Sequence, residues 1–305
     1  MTAIELSNVT KQFGSFTALD KLDLTVEHGE IFGFLGPNGA GKSTAINILL
    51  DFIRPTTGHA KVMGYDAQTD SLTIRQQIGV LPDAFSVYDR LTGRQHLEFA
   101  IESKHAEDDP LAILERVGIA DAADRKAGGY SKGMAQRLAL GIALVGQPDL
   151  IILDEPSTGL DPNGAREMRE IILEENRRGA TIFFSSHILE QVDAVCDRVG
   201  ILQNGKLIAQ DSVQGLRQST ETASILTLSV SETTSNALTA ARNCTGVIEV
   251  QEHPETIVVT IADGSKIAVI DAIREADVEI NDIATEESSL DDVFAAVTER
   301  QEVYA

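Results

Sequence analysis

Long apolar stretches are missing from this chain of 305 residues. A membrane-spanning helix needs roughly 20 consecutive apolar residues, whereas apolar runs such as residues 150–153 soon end at charged residues. The N-terminal segment reads as a strand and lacks the basic head and apolar block of a secretory signal. We therefore expect a cytoplasmic chain that does not itself cross a bilayer.

Cysteine is scarce, and tryptophan does not occur. The two cysteines, Cys196 and Cys244, lie far apart in the sequence and outside any CxxC motif or cysteine–histidine cluster. This spacing predicts neither a disulfide framework nor a cysteine-ligated metal. We expect two reduced thiols, as is usual in the cytosol.

Basic residues are also few, since 25 Lys and Arg stand against 47 Asp and Glu, a formal net charge of −22. Nucleic-acid binding depends on a basic surface that neutralises phosphates, so we expect no nucleic-acid partner. Only 9 of the basic residues are lysine, and scarce lysine beside abundant acid is typical of a protein that works in high salt. An ordinary acidic solvated surface is the alternative.

What is present is the composition of a folded chain, with 43% apolar and 24% charged residues. Up to about residue 210, short strand patterns alternate with longer amphipathic stretches, which is typical of a sheet layered with helices. Residues 91–145 show helical patterns only, so we predict a helical insertion there. Unbroken apolar runs predict buried parallel strands at residues 31–35, 150–153 and 181–185.

The composition changes after residue 211, because residues 221–305 hold 17 acids and only 4 bases. We predict an α/β domain at residues 1–215 and a small acidic α+β domain, accessory or regulatory, at residues 216–305. In the second domain the patterns predict strands at residues 225–230 and 256–261 and helices at residues 267–276 and 289–300.

The last of these predicted helices has one apolar face, formed by Leu290, Val293, Phe294 and Val297. Such a face must be buried somewhere. It packs either in the core of the domain itself or, alternatively, in a dimer contact or a regulatory surface.

Residues 36–44 read Gly-Pro-Asn-Gly-Ala-Gly-Lys-Ser-Thr and fit the phosphate-binding pattern G-x-x-x-x-G-K-[ST]. The motif follows an apolar strand and opens an amphipathic helix. Glycines let backbone N–H groups close around phosphates, and the helix N-terminus adds favourable partial charge. Lys42 is expected to reach the β- and γ-phosphates, and Ser43 to offer its hydroxyl to Mg²⁺. The residues assigned to the nucleotide are Gly36, Asn38, Gly39, Gly41, Lys42, Ser43 and Thr44.

Two acids, Asp154 and Glu155, end the predicted strand at residues 150–153. Open α/β sheets bind their ligands at this edge. We expect Asp154 to hold Mg²⁺ through water and Glu155 to orient or deprotonate the attacking water, because phosphoryl transfer depends on in-line positioning.

Residues 130–161 carry a specific family resemblance. Their sequence, YSKGMAQRLALGIALVGQPDLIILDEPSTGLD, resembles the signature region, Walker B strand and D-loop of the ATP-binding cassette (ABC) transporter ATPases. The resemblance covers about residues 4–215 and implies the P-loop NTPase fold of that family, with a helical subdomain. It also implies that Ser131 and Gly133 contact the γ-phosphate of ATP held by the opposite subunit, so that two copies sandwich the nucleotide.

Three further residues match functional positions of this family. Phe13 matches the aromatic residue that stacks on adenine, although it also reads as a core residue of an edge strand. His187 follows the predicted strand at residues 181–185 and matches the switch histidine, which contacts the γ-phosphate and helps to hold the catalytic water. Asp161 matches the D-loop aspartate that links the sites of the two subunits.

The sequence departs from the family pattern at three positions. Lys132 and Met134 replace the first signature glycine and the signature glutamine, a variation associated with the export-type branch. The Q-loop glutamine, expected after residues 78–82, is Asp83. Aspartate can engage Mg²⁺ through water, but it is shorter than glutamine and cannot donate a hydrogen bond.

The resemblance implies an export-type transporter ATPase. Two copies would bind two MgATP, close on each other and drive a separate multi-helix permease from the inner face of the cell membrane. The C-terminal module looks like the appendage of drug-, antibiotic- or ion-export ATPases, although Ser289 with Asp292 also fits a local helix start.

Two other functions compete with this reading. A soluble ATPase of DNA repair or translation is the alternative enzyme, but the paired cassettes, coiled coils or basic surfaces usual in such proteins are not seen. A non-catalytic nucleotide sensor is the other, and Glu155 and His187 disfavour it.

Overall fold

The computed structural model describes residues 2–83, 85–219, 224–261, 266–286 and residue 294. The chain divides into two compact units, Met1–Ser212 and Val213–Ala305. The predicted C-terminal helix at residues 289–300 lies outside the described residues, apart from Phe294.

The first unit mixes strands and helices along its whole length. Its elements are β1 (Thr2–Phe13), β2 (Phe16–Glu27), β3 (Ile31–Leu35), α1 (Lys42–Leu49), β4 (Thr57–Val62), β5 (Tyr65–Asp66), α2 (Ser71–Gln77), β6 (Ile78–Leu81), α3 (Gly93–Lys104), α4 (Pro110–Arg116), α5 (Lys132–Leu144), β7 (Leu150–Asp154), α6 (Pro162–Arg177), β8 (Thr181–Ser186), α7 (Leu189–Asp193), β9 (Arg198–Gln203) and β10 (Lys206–Ser212). Two short 3₁₀ turns, Ala120–Ala122 and Ala127–Gly129, lie between α4 and α5.

The central sheet of this unit has the strand order β10-β9-β3-β8-β7-β6. Neighbouring strands from β9 to β6 pair in parallel, and β10 pairs antiparallel with β9. Every residue of β3, β7 and β8 is buried, as is typical of parallel strands covered on both faces. The three strands predicted from unbroken apolar runs are therefore confirmed.

A second sheet of the first unit is antiparallel, with the order β2-β1-β4-β5. Strands β1 and β2 form a hairpin in which Phe13 lies opposite Phe16. Side chains from both sheets and from α1 form one hydrophobic core. At its centre the rings of Phe32 and Phe183 stack with centroids 6.0 Å apart. This core fixes β3 and β8 side by side, so the loops that follow them are neighbours.

Helices α3, α4 and α5 occupy the predicted helical insertion at residues 91–145. Lys104 ties this insertion to the central sheet, because its Nζ donates to the carbonyl oxygen of Ile78 at 2.8 Å and to that of Val145 at 3.0 Å. Burial lowers the pKa of the Lys104 ammonium.

Among the described residues, no helix is long and apolar enough to cross a bilayer.

The second unit contains α8 (Val213–Ser219), β11 (Ser224–Val230), α9 (Ser235–Arg242), β12 (Val247–His253), β13 (Thr256–Ile261), α10 (Lys266–Glu275) and β14 (Ile280–Glu286). Its sheet is antiparallel, with the order β12-β13-β11-β14. In β13 buried residues alternate with partly exposed ones, and the buried set packs in a core shared with α9 and α10. The predicted strands at residues 225–230 and 256–261 and the predicted helix at residues 267–276 are confirmed.

Four described elements of the second unit were not predicted from the sequence, namely the helices α8 and α9 and the edge strands β12 and β14. In β12 only Val250 is buried, and the exposed positions include Glu249, Gln251 and Glu252. An edge strand with polar residues at most positions lacks the regular alternation that reveals a half-buried strand.

Candidate functional site

The phosphate-binding motif forms the turn between β3 and α1. Gly41 immediately precedes α1 with φ 113°, and a Cβ there would lie 2.7 Å from the carbonyl oxygen of Ala18. A Cβ on Gly36 would lie 2.4 Å from the carbonyl oxygen of Leu202. Both positions therefore require glycine, because the turn packs its own backbone against neighbouring backbone.

This turn lines a cleft of about 270 Å³ in the first unit. Most of the lining residues were predicted from the sequence to bind the nucleotide or the metal or to act in catalysis. Those that line the cleft are Asn38, Gly39, Gly41, Lys42, Ser43, Thr44, Asp83 and Glu155. The fold thus brings residues from three separate sequence segments to one place.

Lys42 is buried within this cleft, with 6% of its surface exposed. Its Nζ donates to the carbonyl oxygen of Gly36 at 2.6 Å and lies 3.6 Å from Oε1 of Glu155. The buried cation is therefore balanced by a backbone carbonyl and a carboxylate. A phosphate that binds Lys42 must replace these partners.

Asp154 is the last residue of β7 and is 5% exposed. The hydroxyl groups of Ser185, on the neighbouring strand β8, and of Ser43 both hydrogen-bond to its carboxylate. Burial raises the pKa of Asp154, the two hydroxyl groups lower it, and the nearby charges of Asp83 and Glu155 raise it. Hydroxyl and carboxylate oxygens, the ligands that hard cations prefer, therefore meet at this edge of the sheet.

Glu155 directly follows β7 and has a left-handed backbone conformation, with φ 50°. Its N–H donates to the carbonyl oxygen of Ser185 at 3.1 Å. The carboxylate lies between two nitrogen groups, since Nδ1 of His187 is 2.7 Å from Oε2 and Lys42 approaches Oε1. A non-glycine residue in this conformation costs of order 1 kcal/mol, and such strain is concentrated at functional sites.

The arrangement is suited to the hydrolysis of a phosphate ester or anhydride. A carboxylate beside a phosphate-binding turn can accept the proton of a water molecule, and an imidazole on its other oxygen fixes its orientation. Phosphoryl transfer asks of the protein mainly this kind of positioning and charge stabilisation.

Comparison with known proteins decides which family carries this site. A model of the ABC transporter family matches residues 19–158. The chain is 32% identical to the daunorubicin resistance ATP-binding protein of Streptomyces coeruleorubidus, over 97% of this chain and 96% of that protein. It is 40% identical to the bacitracin transport ATP-binding protein of Bacillus licheniformis, over 68% of this chain and 69% of that protein. The chain belongs to the ABC transporter family.

Solved structures support the ABC ATPase fold. An ATP-binding subunit of an ABC transporter matches with a TM-score of 0.67 and 28% identity, over 72% of this chain and 93% of that one. A dimeric ABC cassette in a post-hydrolysis state, bound to ADP and Pi, matches with a TM-score of 0.64 and 26% identity, over 69% of this chain and 98% of that one. The predicted family and fold are confirmed.

The function predicted from the sequence is confirmed together with the family and the fold. This chain is the ATP-binding, ATP-hydrolysing subunit of an ABC transporter. The alternative of DNA repair or translation is not supported, because the relatives are transporter subunits.

The aromatic residue that lines the cleft of this ABC ATPase is Phe16. Phe13 is not among the lining residues; its ring is 50% exposed and lies 4.9 Å from Nζ of Lys11. Reading Phe13 as a core residue is therefore wrong, while its contact with adenine stays a prediction. Phe16 was not predicted from the sequence, because only the register of the β1–β2 hairpin places it opposite Phe13.

Two of the residues matched to the signature and D-loop cap helices within their own chain. Ser131 Oγ accepts a hydrogen bond from the N–H of Met134 at 3.2 Å, at the start of α5. Asp161 Oδ1 accepts one from the N–H of Gly164 at 2.7 Å, at the start of α6. Neither these residues nor Gly133 line the P-loop cleft of the same chain. Their contact with ATP held by a second copy stays a prediction.

Proposed function

We propose a specific division of roles in the ATP cleft. The P-loop backbone and Lys42 hold the β- and γ-phosphates, Glu155 is the general base, and His187 holds the carboxylate of Glu155 in place. The observation that carries this proposal is the position of Glu155, with Oε2 2.7 Å from Nδ1 of His187 and Oε1 3.6 Å from Nζ of Lys42. Phe16 and Phe13 lie on the hairpin that supplies the aromatic contact for adenine.

Phosphate binding changes the surroundings of Glu155. The γ-phosphate competes for Lys42, because an ammonium binds a phosphate more strongly than a neutral carbonyl. Oε1 of Glu155 then accepts a proton from water while His187 still orients Oε2. The water oxygen bonds to the γ-phosphorus, and the bond from that phosphorus to ADP breaks.

The oxygen donors of the cleft fit Mg²⁺. Ser43 and Asp154 are hydrogen-bonded, and Asp83 lies near enough for its charge to raise the pKa of Asp154. Mg²⁺ is usually held by one or two carboxylates together with water and substrate phosphates. We infer that the Ser43 hydroxyl and the carboxylates of Asp154 and Asp83 would hold Mg²⁺ here, and that the ion would neutralise phosphate charge.

The second copy completes each ATP site. Ser131 and Gly133 lie at the N-terminus of α5, where free N–H groups attract an anion. We place them on the γ-phosphate bound by the P-loop of the other copy, with Asp161 linking the two sites. Closure of the pair then moves the permease through residues 91–145 and the loop after Asp83. This places the chain on the cytoplasmic face of the cell membrane, as a peripheral subunit.

The relatives indicate the kind of cargo. One is named for daunorubicin resistance and another for bacitracin transport. We infer that the permease served by this chain exports a compound of the antibiotic type. In this proposal residues 1–215 form the ATPase domain, and residues 216–305 form an accessory domain.

Glu155→Gln tests the assignment of the base. The amide keeps the size of the side chain but does not take up the proton of water. Steady-state hydrolysis should therefore fall by at least about 100-fold, while an ATP-bound dimer accumulates. Phosphate release measures turnover, and size-exclusion chromatography with ATP and Mg²⁺ measures the dimer. Undiminished hydrolysis would show that Glu155 is not the base.

Two further variants separate binding from hydrolysis. Lys42→Ala should lose both MgATP retention and the ATP-dependent dimer, because it removes the buried cation of the cleft. Glu252→Gln is the matched control, since it makes the same chemical change at an exposed position of β12. It should leave hydrolysis and dimer formation unchanged.

A further inference from the structure

Lys132 replaces the first signature glycine of the family pattern, and its side chain packs on Gly159 in the D-loop of its own chain. A Cβ placed on Gly159 would lie 2.5 Å from Cδ and 2.7 Å from Cε of Lys132. The hydrocarbon stem of the lysine therefore fills the space that a side chain at position 159 would need. The residue as a whole remains exposed. Lysine commonly lays its apolar stem on a surface in this way and keeps its ammonium in water.

A second contact joins the same helix to the same loop. Gln136 is buried, and its Nε2 donates to the carbonyl oxygen of Pro156 at 2.7 Å. Lys132 and Gln136 are four residues apart, so they lie on one face of α5. The start of α5 therefore rests along residues 156–160 at two points.

The contact at Gly159 restrains a backbone position at which glycine has a wide choice of conformation. Gly159 has φ 84°, in a region that glycine enters and leaves without a steric barrier from a Cβ. The loop is joined to the proposed base, because the N–H of Thr158 donates to the carbonyl oxygen of Glu155 at 3.1 Å. A shift at Gly159 would therefore reach Glu155 through one short turn.

The charge of Lys132 has no comparable partner. Within the described ranges of the chain, its ammonium makes no hydrogen bond or ion pair. The stem is thus the part of this residue that touches the protein.

We propose that Lys132 is a positioning residue whose hydrocarbon stem, packed on Gly159, fixes the D-loop and through it the carboxylate of Glu155. The inference rests on the proposed role of Glu155 as the base. It implies that a movement of the signature turn is passed to the catalytic carboxylate of the same chain.

Lys132→Met and Lys132→Ala separate the stem from the charge in the full-length chain. Methionine keeps an unbranched apolar stem without the charge, so kcat should stay within about twofold of the wild-type value. Alanine removes the stem, and kcat should fall about tenfold, because small displacements of a catalytic group cost that much or more. KM for ATP should change far less than kcat, since the P-loop that first holds the nucleotide is untouched.

Lys126→Met and Lys126→Ala are the matched controls, because Lys126 is an exposed lysine that precedes α5 in the same insertion, residues 91–145. Both should leave kcat unchanged, and all variants should unfold at the wild-type temperature. Equal losses in Lys132→Met and Lys132→Ala would assign the effect to the charge and overturn the proposal. Full activity of Lys132→Ala would overturn it as well.

A double-mutant cycle with Gly159→Ala tests the contact itself. The substitution strains the positive-φ backbone in any background, but it meets the lysine stem only where that stem is present. Its effect on kcat should therefore be at least about threefold smaller beside Lys132→Ala than in the wild type, which is a coupling that independent sites do not show.

Equal effects in the two backgrounds would overturn the contact. A failure of the base assignment would appear separately, as persistent hydrolysis by Glu155→Gln with Lys132 intact.

Discussion

The central sheet of the first unit and the sheet of the second unit are built in opposite ways. In the first unit, β9, β3, β8, β7 and β6 run in parallel, and three of these strands are buried at every residue. In the second unit all paired strands of the described sheet run antiparallel. Parallel strands bring their carboxyl ends to one edge, so the P-loop, Asp154 and His187 meet there. An antiparallel sheet has no such edge, which explains why the ATP chemistry lies in the first unit.

The units also differ in charge. Residues 1–220 hold 30 acids and 21 bases, whereas residues 221–305 hold 17 and 4. Several cations of the first unit are engaged in its structure and its site. Arg116 and Arg178, for example, both pair with the buried Glu175. The acidity of the second unit is not balanced in this way, so the two units should respond differently to mutation and to salt.

Leu228→Ala should have the largest effect and tests whether the two units can be separated. Leu228 is fully buried in β11, and its loss should cost about 2–5 kcal/mol of the free energy of unfolding of the second unit. The ATP cleft is lined by residues of the first unit, so kcat should change little. Calorimetry and phosphate release measure the two quantities.

The matched variant Leu228→Met should cost less than about 1.5 kcal/mol. If Leu228→Ala stopped hydrolysis while the chain was still folded, the second unit would be required for ATPase activity, and the two units would not be functionally separate.

Phe16→Ala should have an intermediate effect, and it tests which aromatic residue of the first unit contacts adenine in the cleft. Loss of an aromatic ring that stacks on a base should weaken ATP binding about tenfold. Phe13→Ala should weaken it less, because Phe16 lines the cleft and Phe13 does not. Calorimetric titration measures both. Tripolyphosphate has no adenine ring and should bind equally to the wild type and to both variants. If Phe13→Ala weakened ATP binding more than Phe16→Ala, Phe13 would be the main adenine contact.

Salt should have the smallest effect and tests the difference in charge. Raising KCl from about 0.1 M to about 3 M screens repulsion between like charges, so both unfolding transitions should move to higher temperature. The transition that Leu228→Ala displaces should move further, because residues 221–305 are the more acidic. If neither transition rose with salt, the high-salt hypothesis would be rejected.

Much of this fold could be predicted because its signals are contiguous in the sequence. The strands β3, β7 and β8 are unbroken apolar runs, and the P-loop is nine consecutive residues. Asp154 and Glu155 were predictable for the same reason, since they directly follow one of those runs. Even the capping role of Asp161 had a local signal, because it precedes Pro162 at the start of a helix.

The rest depends on tertiary structure. Phe16 enters the cleft through a hairpin register, and Lys132 reaches Gly159 across two segments that the sequence separates by 27 positions. The edge strand β12 was missed because its exposed side chains carry no apolar alternation. Patterns of apolar residues predict single helices and strands, whereas contacts between these elements depend on the tertiary fold.

The left-handed backbone of Glu155 has a consequence for how this ATPase can evolve. Glycine would adopt this conformation without strain and would remove a local backbone cost of roughly 1 kcal/mol, but it would also take the carboxylate away from Lys42 and His187. Selection on the local backbone alone would therefore favour, at the residue after Asp154, a substitution that removes the proposed base. Stabilising mutations of this ATPase should therefore leave position 155 unchanged, because a residue that relieves the backbone strain there would also lower ATP turnover.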